Sequence, residues 1–251
     1  VVAGGPGSPH ESVLEPVWDA DGTLYFLSDR TGFWNLFRLR GGVLEQVTAL
    51  AADLGGPLWS IGASTYALTG DGRALVRICR DAVDSLALVD LATGVVSPLP
   101  LPFVAFGSIG VLDARTGFAV AAPEDAPRSL VTFDLRDGAH RTIRAAGPVA
   151  LAAGFVSRAE SIEYATRPGR DGAPRTAHAF FHAPRNPRFT TPSGTKPPLM
   201  VMLHGGPTER ASPAQSLSIQ FWTTRGFAVV NVNYGGSSGF GRAYRDRLLG
   251  E

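Results

Sequence analysis

The stretch PPLMVMLHGGP, residues Pro197 to Pro207, decides how the rest of the chain is interpreted. Its continuous apolar run, Leu199 to Leu203, predicts a buried parallel β-strand that is covered on both faces. Gly205 and Gly206 follow almost directly, and they carry no Cβ that would block a close approach to the backbone. The strand and its glycine turn are therefore the first candidate for a functional site.

The residues after this turn predict a second unit of the same kind. A helix is expected to open at Ser212, which is a suitable N-cap, and to end at Gly226. A buried strand over 227–232, a glycine loop over 233–241 and a further helix over 242–249 should follow. Because strands and helices alternate, we expect parallel strands that are joined by right-handed crossovers.

Residues 12–147 have a different pattern, with short strands, glycine turns and almost no helical periodicity. The turn glycines Gly42, Gly94 and Gly138 lie 52 and 44 residues apart. A four-strand unit that repeats at roughly this interval is typical of β-propeller blades. We count about three blades, which is fewer than a closed propeller needs, so this stretch should be the last part of a longer propeller. A β-sandwich is the alternative.

Aromatic or apolar residues lead into each of these units. The first strand of each four-strand unit is expected near 16–18, 57–59 and 106–109. The tryptophans of this half are interpreted as residues that pack within the blades: Trp18, Trp34 and Trp59. Two further strands, at 162–166 and 176–181, precede a proline-rich loop, and this change of character suggests a domain boundary near residues 150–160.

Composition narrows the classes of protein that fit. The chain has 251 residues, of which 44% are hydrophobic and 18% charged, and a net charge of +1. This is a core-forming globular composition, and it gives no electrostatic reason to expect nucleic acid or an anionic membrane as a partner. The lone Cys79 excludes a disulfide framework and a cysteine metal site, and it is interpreted as an inert core residue. We expect no metal and no cofactor.

One motif match is rejected on its context. Residues 235–239, GGSSG, match the G-x-S-x-G pattern of a hydrolase nucleophile elbow. The elbow serine should follow a further strand and helix beyond the glycine turn, whereas Ser237 follows only the next strand. The loop is also too rich in glycine to hold one serine rigidly. Ser237 is therefore not assigned as a nucleophile, and no phosphate-binding glycine motif is in register.

The segments 198–207, 226–234 and 236–245 closely resemble the prolyl oligopeptidase family of serine peptidases, and the nearest branch is the acylaminoacyl-peptidase and dipeptidyl-peptidase type. This resemblance implies a partial β-propeller of about three blades followed by the N-terminal part of an α/β-hydrolase domain. The implied boundaries are 1–156 for the propeller, 157–197 for a linker with two strands, and 198–251 for the start of the peptidase domain.

The resemblance also implies roles for residues near the glycine turn. Gly206 would donate one backbone N–H to the oxyanion of an acyl-transfer intermediate, and Gly205 would shape the turn. His204 and Tyr234 belong to family loops near the site. One departure is Gly235, which stands where the family usually carries an arginine, so any charge role of that arginine is left open.

A catalytic serine, aspartate and histidine should follow in that order, and all three would lie beyond Glu251. None of the five histidines lies where the base is expected. We therefore expect a fragment of a longer peptidase, with no catalytic triad residue in this chain and no activity of its own.

The implied substrate is a short peptide, and neither nucleic acid nor a membrane is expected as a partner. A homo-oligomer is compatible with the sequence, and the lack of cysteine pairs fits a cytoplasmic location. Two alternatives stay open: an esterase with the α/β-hydrolase fold, and a non-catalytic propeller that binds another protein. A nucleophile elbow downstream of Glu251 would favour catalysis, and its absence would favour the scaffold.

Overall fold

The computed structural model describes residues 2–5, 10–59, 62–147, 151–170, 172–190 and 192–249. These residues form four sheets of four strands each and few helices, so the protein is built mostly of antiparallel strands. No helix among them is long and apolar enough to span a bilayer.

The first three sheets follow one another along the chain, and each pairs its strands antiparallel in sequence order. The first sheet contains β1 (Val13–Trp18), β2 (Leu24–Ser28), β3 (Asn35–Arg40) and β4 (Val43–Gln46). The second contains β5 (Tyr66–Leu68), β6 (Arg73–Arg80), β7 (Val83–Asp90) and β8 (Val96–Pro98). The third contains β9 (Ala105–Val111), β10 (Thr116–Ala122), β11 (Ser129–Asp134) and β12 (His140–Ala145).

The turn chemistry of these sheets agrees with the sequence. Arg40 pairs with Val43, so Gly41 and the turn glycine Gly42 form a two-residue hairpin between β3 and β4. The first strand predicted at 57–59 is wrong, because these residues form no strand and β5 begins only at Tyr66. Proline at this position has no N–H to donate to a ladder, which removes one bond that a strand would need.

The second sheet is buried on both faces because its side chains alternate. One face packs against the first sheet through small and β-branched residues: Ala74, Val76, Ala87 and Val89. The other face packs against the third sheet through leucines: Leu75, Leu86 and Leu88. The three sheets are therefore stacked in chain order around two apolar layers.

The fourth sheet is mixed, with the strand order β13-β14-β16-β15. Its strands are β13 (Glu160–Ala165), β14 (Thr176–His182), β15 (Leu199–Leu203) and β16 (Ala228–Asn233). β15 and β16 are parallel, as the alternation of strand and helix predicted, and helix α1 (Leu217–Thr223) lies between them in sequence. Helix α2 (Arg242–Arg245) and a short 3₁₀ turn over 246–248 follow the loop after β16.

Two predictions for this sheet are wrong. β15 is an edge strand, and Leu199, Val201 and Leu203 on one of its faces are 56%, 55% and 66% exposed. The apolar run is therefore not covered on both faces by the part of the chain that the structure describes. Helix α1 begins at Leu217 rather than near Ser212, and its N-cap residue makes no side-chain capping bond.

A buried aspartate joins the first sheets to the loop after β16. Asp53 lies between β4 and β5, and its Oδ1 accepts the Trp34 N–H at 3.0 Å. Its Oδ2 accepts the N–H groups of Gly239 at 3.2 Å and Gly241 at 3.1 Å. Burial raises the pKa of the Asp53 carboxyl above its ordinary value, although these donors oppose the shift.

Two buried ion pairs strengthen the same junction. Asp29, at the end of β2, pairs with Arg245 of α2, and the Arg245 guanidinium lies 3.9 Å from the centroid of the Trp34 ring. Asp84 on β7 accepts bonds from Arg210 Nη2 at 2.8 and 2.9 Å. The loops that follow β15 and β16 are thus both held against the antiparallel sheets by charge-assisted bonds.

Candidate active site

The glycine turn follows the carboxyl end of β15 and is open to solvent. Gly206 has a φ of +104°, a conformation that residues with a Cβ rarely adopt, and a Cβ there would lie 3.2 Å from Glu209 Cβ. Gly205 has open space around its Cβ position and no such φ. Within the described ranges, the N–H groups of Gly205 and Gly206 have no hydrogen-bond partner. The turn therefore offers free backbone donors at its surface.

His204 ties this turn to the loop after β16. Its ring stacks on Tyr234 with a centroid distance of 4.5 Å and an interplanar angle of 17°. The Tyr234 hydroxyl lies 3.1 Å from the His204 carbonyl oxygen and 3.0 Å from that of Pro207. Burial raises the pKa of Tyr234, so its hydroxyl stays protonated and can donate to these carbonyls. The residues predicted near the site, His204 and Tyr234, are thus brought together and brace the turn.

Ser237 completes this network from inside the protein. Its Oγ lies 2.7 Å from His204 Nε2 and 2.8 Å from the Tyr234 carbonyl oxygen. Because the carbonyl can only accept, the hydroxyl donates to it, and His204 then donates its Nε2–H to Oγ. Ser237 is completely buried, so substrate cannot reach its hydroxyl. The burial agrees with the sequence argument that Ser237 is not the nucleophile.

The other two histidines of this half, His178 and His182, pack against residues outside the turn. His178 stacks on Phe240 with a centroid distance of 4.4 Å, and the ring of His182 is buried beside the Ser157 carbonyl. Burial lowers the pKa of both imidazoles, which favours their neutral forms. Cys79 is buried as predicted, and burial raises the pKa of its thiol to about 12, so it is inert.

Sequence reasoning missed a neighbour of the turn. Trp59 is 59% exposed, and its Cζ2 lies 3.4 Å from the position that a Cβ on Gly206 would take. The interpretation of Trp59 and Trp18 as packing residues is wrong, since Trp18 is also 66% exposed, whereas Trp34 is buried as expected. No local signal connects Trp59 to a turn that lies far along the chain.

Known structures match nearly all of this chain. A puromycin-hydrolyzing peptidase from Mycobacterium tuberculosis is 34% identical with a TM-score of 0.86, and the match covers 95% of this chain and 36% of that chain. Prolyl oligopeptidase B from Galerina marginata has the same fold over 94% of this chain and 32% of its own, with 15% identity and a TM-score of 0.68.

A curated relative matches a shorter segment. Dipeptidyl aminopeptidase BIII from Pseudoxanthomonas mexicana is 41% identical over 54 residues, which are 22% of this chain and 8% of that protein. No protein-family model matches the chain. This chain spans 36% of the length of the M. tuberculosis structure.

Stacked antiparallel sheets and a parallel strand pair are the part of the fold that this chain shares with these peptidase structures. The chain is thus similar to part of a puromycin-hydrolyzing peptidase, and it shares its fold with prolyl oligopeptidases.

Proposed function

We propose that this chain is part of a serine peptidase that hydrolyses short peptides in an aminopeptidase or oligopeptidase mode. Residues 1–156 would form consecutive propeller blades, residues 157–197 a linker with two strands, and residues 198–251 the start of an α/β-hydrolase domain. The peptidase activities named for the M. tuberculosis structure and for the curated relative support this proposal.

One observation carries the proposal: free backbone N–H groups lie in an exposed turn directly after a parallel strand. In acyl transfer, a serine attacks the peptide carbonyl and the carbonyl oxygen becomes an oxyanion. The Gly206 N–H would donate to that oxyanion, and a second donor would come from the residue after the nucleophile. His204 and Tyr234 would hold the turn rigid, which matters because oxyanion donors act through fixed geometry.

The catalytic serine, aspartate and histidine would lie in residues that follow Glu251. Ser237 is buried and His204 is hydrogen-bonded to it, so neither is assigned a triad role. The 251-residue chain should therefore be inactive by itself. The substrate would be a short peptide because a propeller in front of the site would exclude larger ones.

A fluorophosphonate probe tests this assignment. The full-length gene product should gain one probe mass and hydrolyse an aminoacyl-nitroanilide, and the isolated 251-residue chain should do neither. Labelling of the short chain would place the nucleophile within it. A full-length protein that gains no probe mass would favour the non-catalytic scaffold instead.

Two neighbouring glycines supply a matched test of the oxyanion role in the full-length enzyme. Gly206→Ala should lower kcat by roughly 10²- to 10³-fold, because the left-handed backbone that aims its N–H is strained by a Cβ. Gly205→Ala should leave kcat almost unchanged, since a methyl group there meets open space. Initial rates at saturating substrate measure the difference. Equal losses in two equally folded variants would contradict the assignment to Gly206.

A further inference from the structure

Two segments run beside each other next to the glycine turn. At one end of this contact Trp59 lies against Gly206, and at the other end Gly56 lies against two arginines. A Cβ on Gly56 would be 3.0 Å from Arg77 Nη2 and 3.9 Å from Arg210 Nη1. The two guanidinium groups therefore converge on one point, a few residues from the turn.

Among the described residues, the nitrogen of each arginine that faces this point has no hydrogen-bond partner. Arg77 is only 8% exposed, and its Nη1 donates to the Phe106 carbonyl oxygen at 3.2 Å, while its Nη2 bonds to no described residue. Arg210 uses its Nη2 for both oxygens of Asp84, and its Nη1 bonds to no described residue. Two guanidinium nitrogens that bond to no described residue thus lie near the same place.

The nearby carboxylates do not neutralise Arg77. Asp84 is engaged by Arg210 and by the Phe106 N–H at 3.0 Å, and Glu209 accepts the backbone N–H of Arg210. Among the described residues, no carboxylate lies within ion-pair distance of Arg77. A nearly buried guanidinium without a counter-ion is costly, so an anion that reaches this point gains a charge-assisted, partly desolvated bond.

The distance from the point between the two arginines to the glycine turn matches the length of a short peptide. Gly56 and Trp59 are three residues apart, so they span at most about 10 Å. An extended peptide advances about 3.3 Å per residue, so two or three residues cover the same distance. A ligand whose carbonyl sits at Gly206 would therefore carry its anionic group two or three residues away.

We propose that Arg77 and Arg210 form a subsite for a carboxylate of the peptide substrate, two or three residues from the scissile carbonyl. Trp59 packs against the intervening part of the substrate. The inference rests on the proposed peptidase function for its orientation relative to Gly206, and it names a chemical preference of that site. Arg77 supplies its Nη2 and Arg210 its Nη1, so the carboxylate would receive one charge-assisted bond from each guanidinium.

Binding of trialanine and of trialanine amide to the full-length protein tests the subsite. Stopped-flow tryptophan fluorescence records binding before turnover, so the measurement does not depend on hydrolysis. The free acid should bind about tenfold tighter than the amide or better, because a hydrogen bond to a charged group contributes that much. Arg77→Met should abolish this preference, and Arg115→Met, at an exposed arginine of the third sheet, should keep it.

The ratio of the two affinities is the readout, so a general loss of folded protein affects both peptides equally. If Arg77→Met does not fold, Arg77→Lys serves instead and should reduce the preference, since one ammonium group cannot occupy both the Nη1 position at the Phe106 carbonyl and the Nη2 position at the carboxylate. Equal affinity for acid and amide in the unmodified protein would overturn the proposal, as would a preference that survives loss of the Arg77 guanidinium. A preference in a protein without hydrolysis would support the subsite and reject the peptidase function.

Discussion

The second and fourth sheets contain similar apolar strands but bury them differently. In the second sheet, β6 and β7 place apolar side chains on both faces, and neighbouring sheets cover each face. In the fourth sheet, β15 has an equally apolar sequence, yet alternate side chains on it are more than half exposed. The difference shows that an apolar run predicts a strand, whereas the layers packed around it decide whether its side chains leave water.

The two regions are also joined in a specific way. The contact between them contains buried charged and polar groups centred on Asp29, Asp53 and Asp84, each bonded to the loop after β15, the loop after β16 or helix α2. Such bonds fix a geometry more strictly than apolar packing, because an unpaired buried charge is costly. The position of the glycine turn relative to Trp59 depends on this junction.

The largest effect should come from breaking the junction at Asp53. Asp53→Ala removes the acceptor of three buried N–H groups and should lower the free energy of unfolding by about 4 kcal/mol. Asp53→Asn should cost less, since it keeps an oxygen for Trp34 and loses the one that serves Gly239 and Gly241. Urea unfolding of the full-length protein measures both. An Asp53→Ala protein as stable as the unmodified one would show that the two regions are held together elsewhere.

A matched pair of leucines tests the difference in burial directly. Leu75→Ala, in the layer between the second and third sheets, should lower the free energy of unfolding by about 3 kcal/mol. Leu203→Ala should cost well under about 1 kcal/mol in the 251-residue chain, because this side chain is 66% exposed.

Measuring the same two leucine variants in the full-length protein tests whether β15 is buried there. If further peptidase layers cover β15, the cost of Leu203→Ala should approach that of Leu75→Ala, because a buried leucine then leaves a cavity. Chemical denaturation in both lengths of protein measures the change. A cost that stays small in the full-length protein would mean that this face is exposed there too.

The smallest effect should come from a partly exposed ion pair in the second sheet. The hydrogen bond from Arg73 lowers the pKa of Asp71 to about 2, so the ionised carboxylate stabilises the folded state. Because the folded pKa is depressed, this stability is present above the ordinary value of 3.8 and is lost as the pH falls through about 2. Asp71→Asn should cost less than about 1 kcal/mol at pH 7, since solvent screens the pair.

Thermal unfolding of Asp71→Asn and of the unmodified protein at several pH values measures how much this ion pair contributes to stability. The two curves should differ at neutral pH and converge by about pH 2. A difference that grows as the pH falls would contradict the sign. Asp53 contrasts with Asp71, because burial raises its pKa and its titration alone therefore favours the folded state at lower pH.

The sequence by itself determined several of the strands, the hairpin turns and the parallel unit, because each depends on residues a few positions apart. The hairpin at Gly41 and Gly42 and the parallel pair of β15 and β16 follow from local turn chemistry and from the alternation of strand and helix. Four-strand units were readable from glycines at regular intervals for the same reason.

Only the tertiary structure decided which of these elements meet. The exposure of β15, the burial of Ser237, the approach of Trp59 to Gly206 and the convergence of Arg77 and Arg210 all join residues that are distant in sequence or depend on neighbouring layers. The sequence pattern of a segment indicates its preferred secondary structure. The burial and partners of its side chains are set by the segments that fold against it.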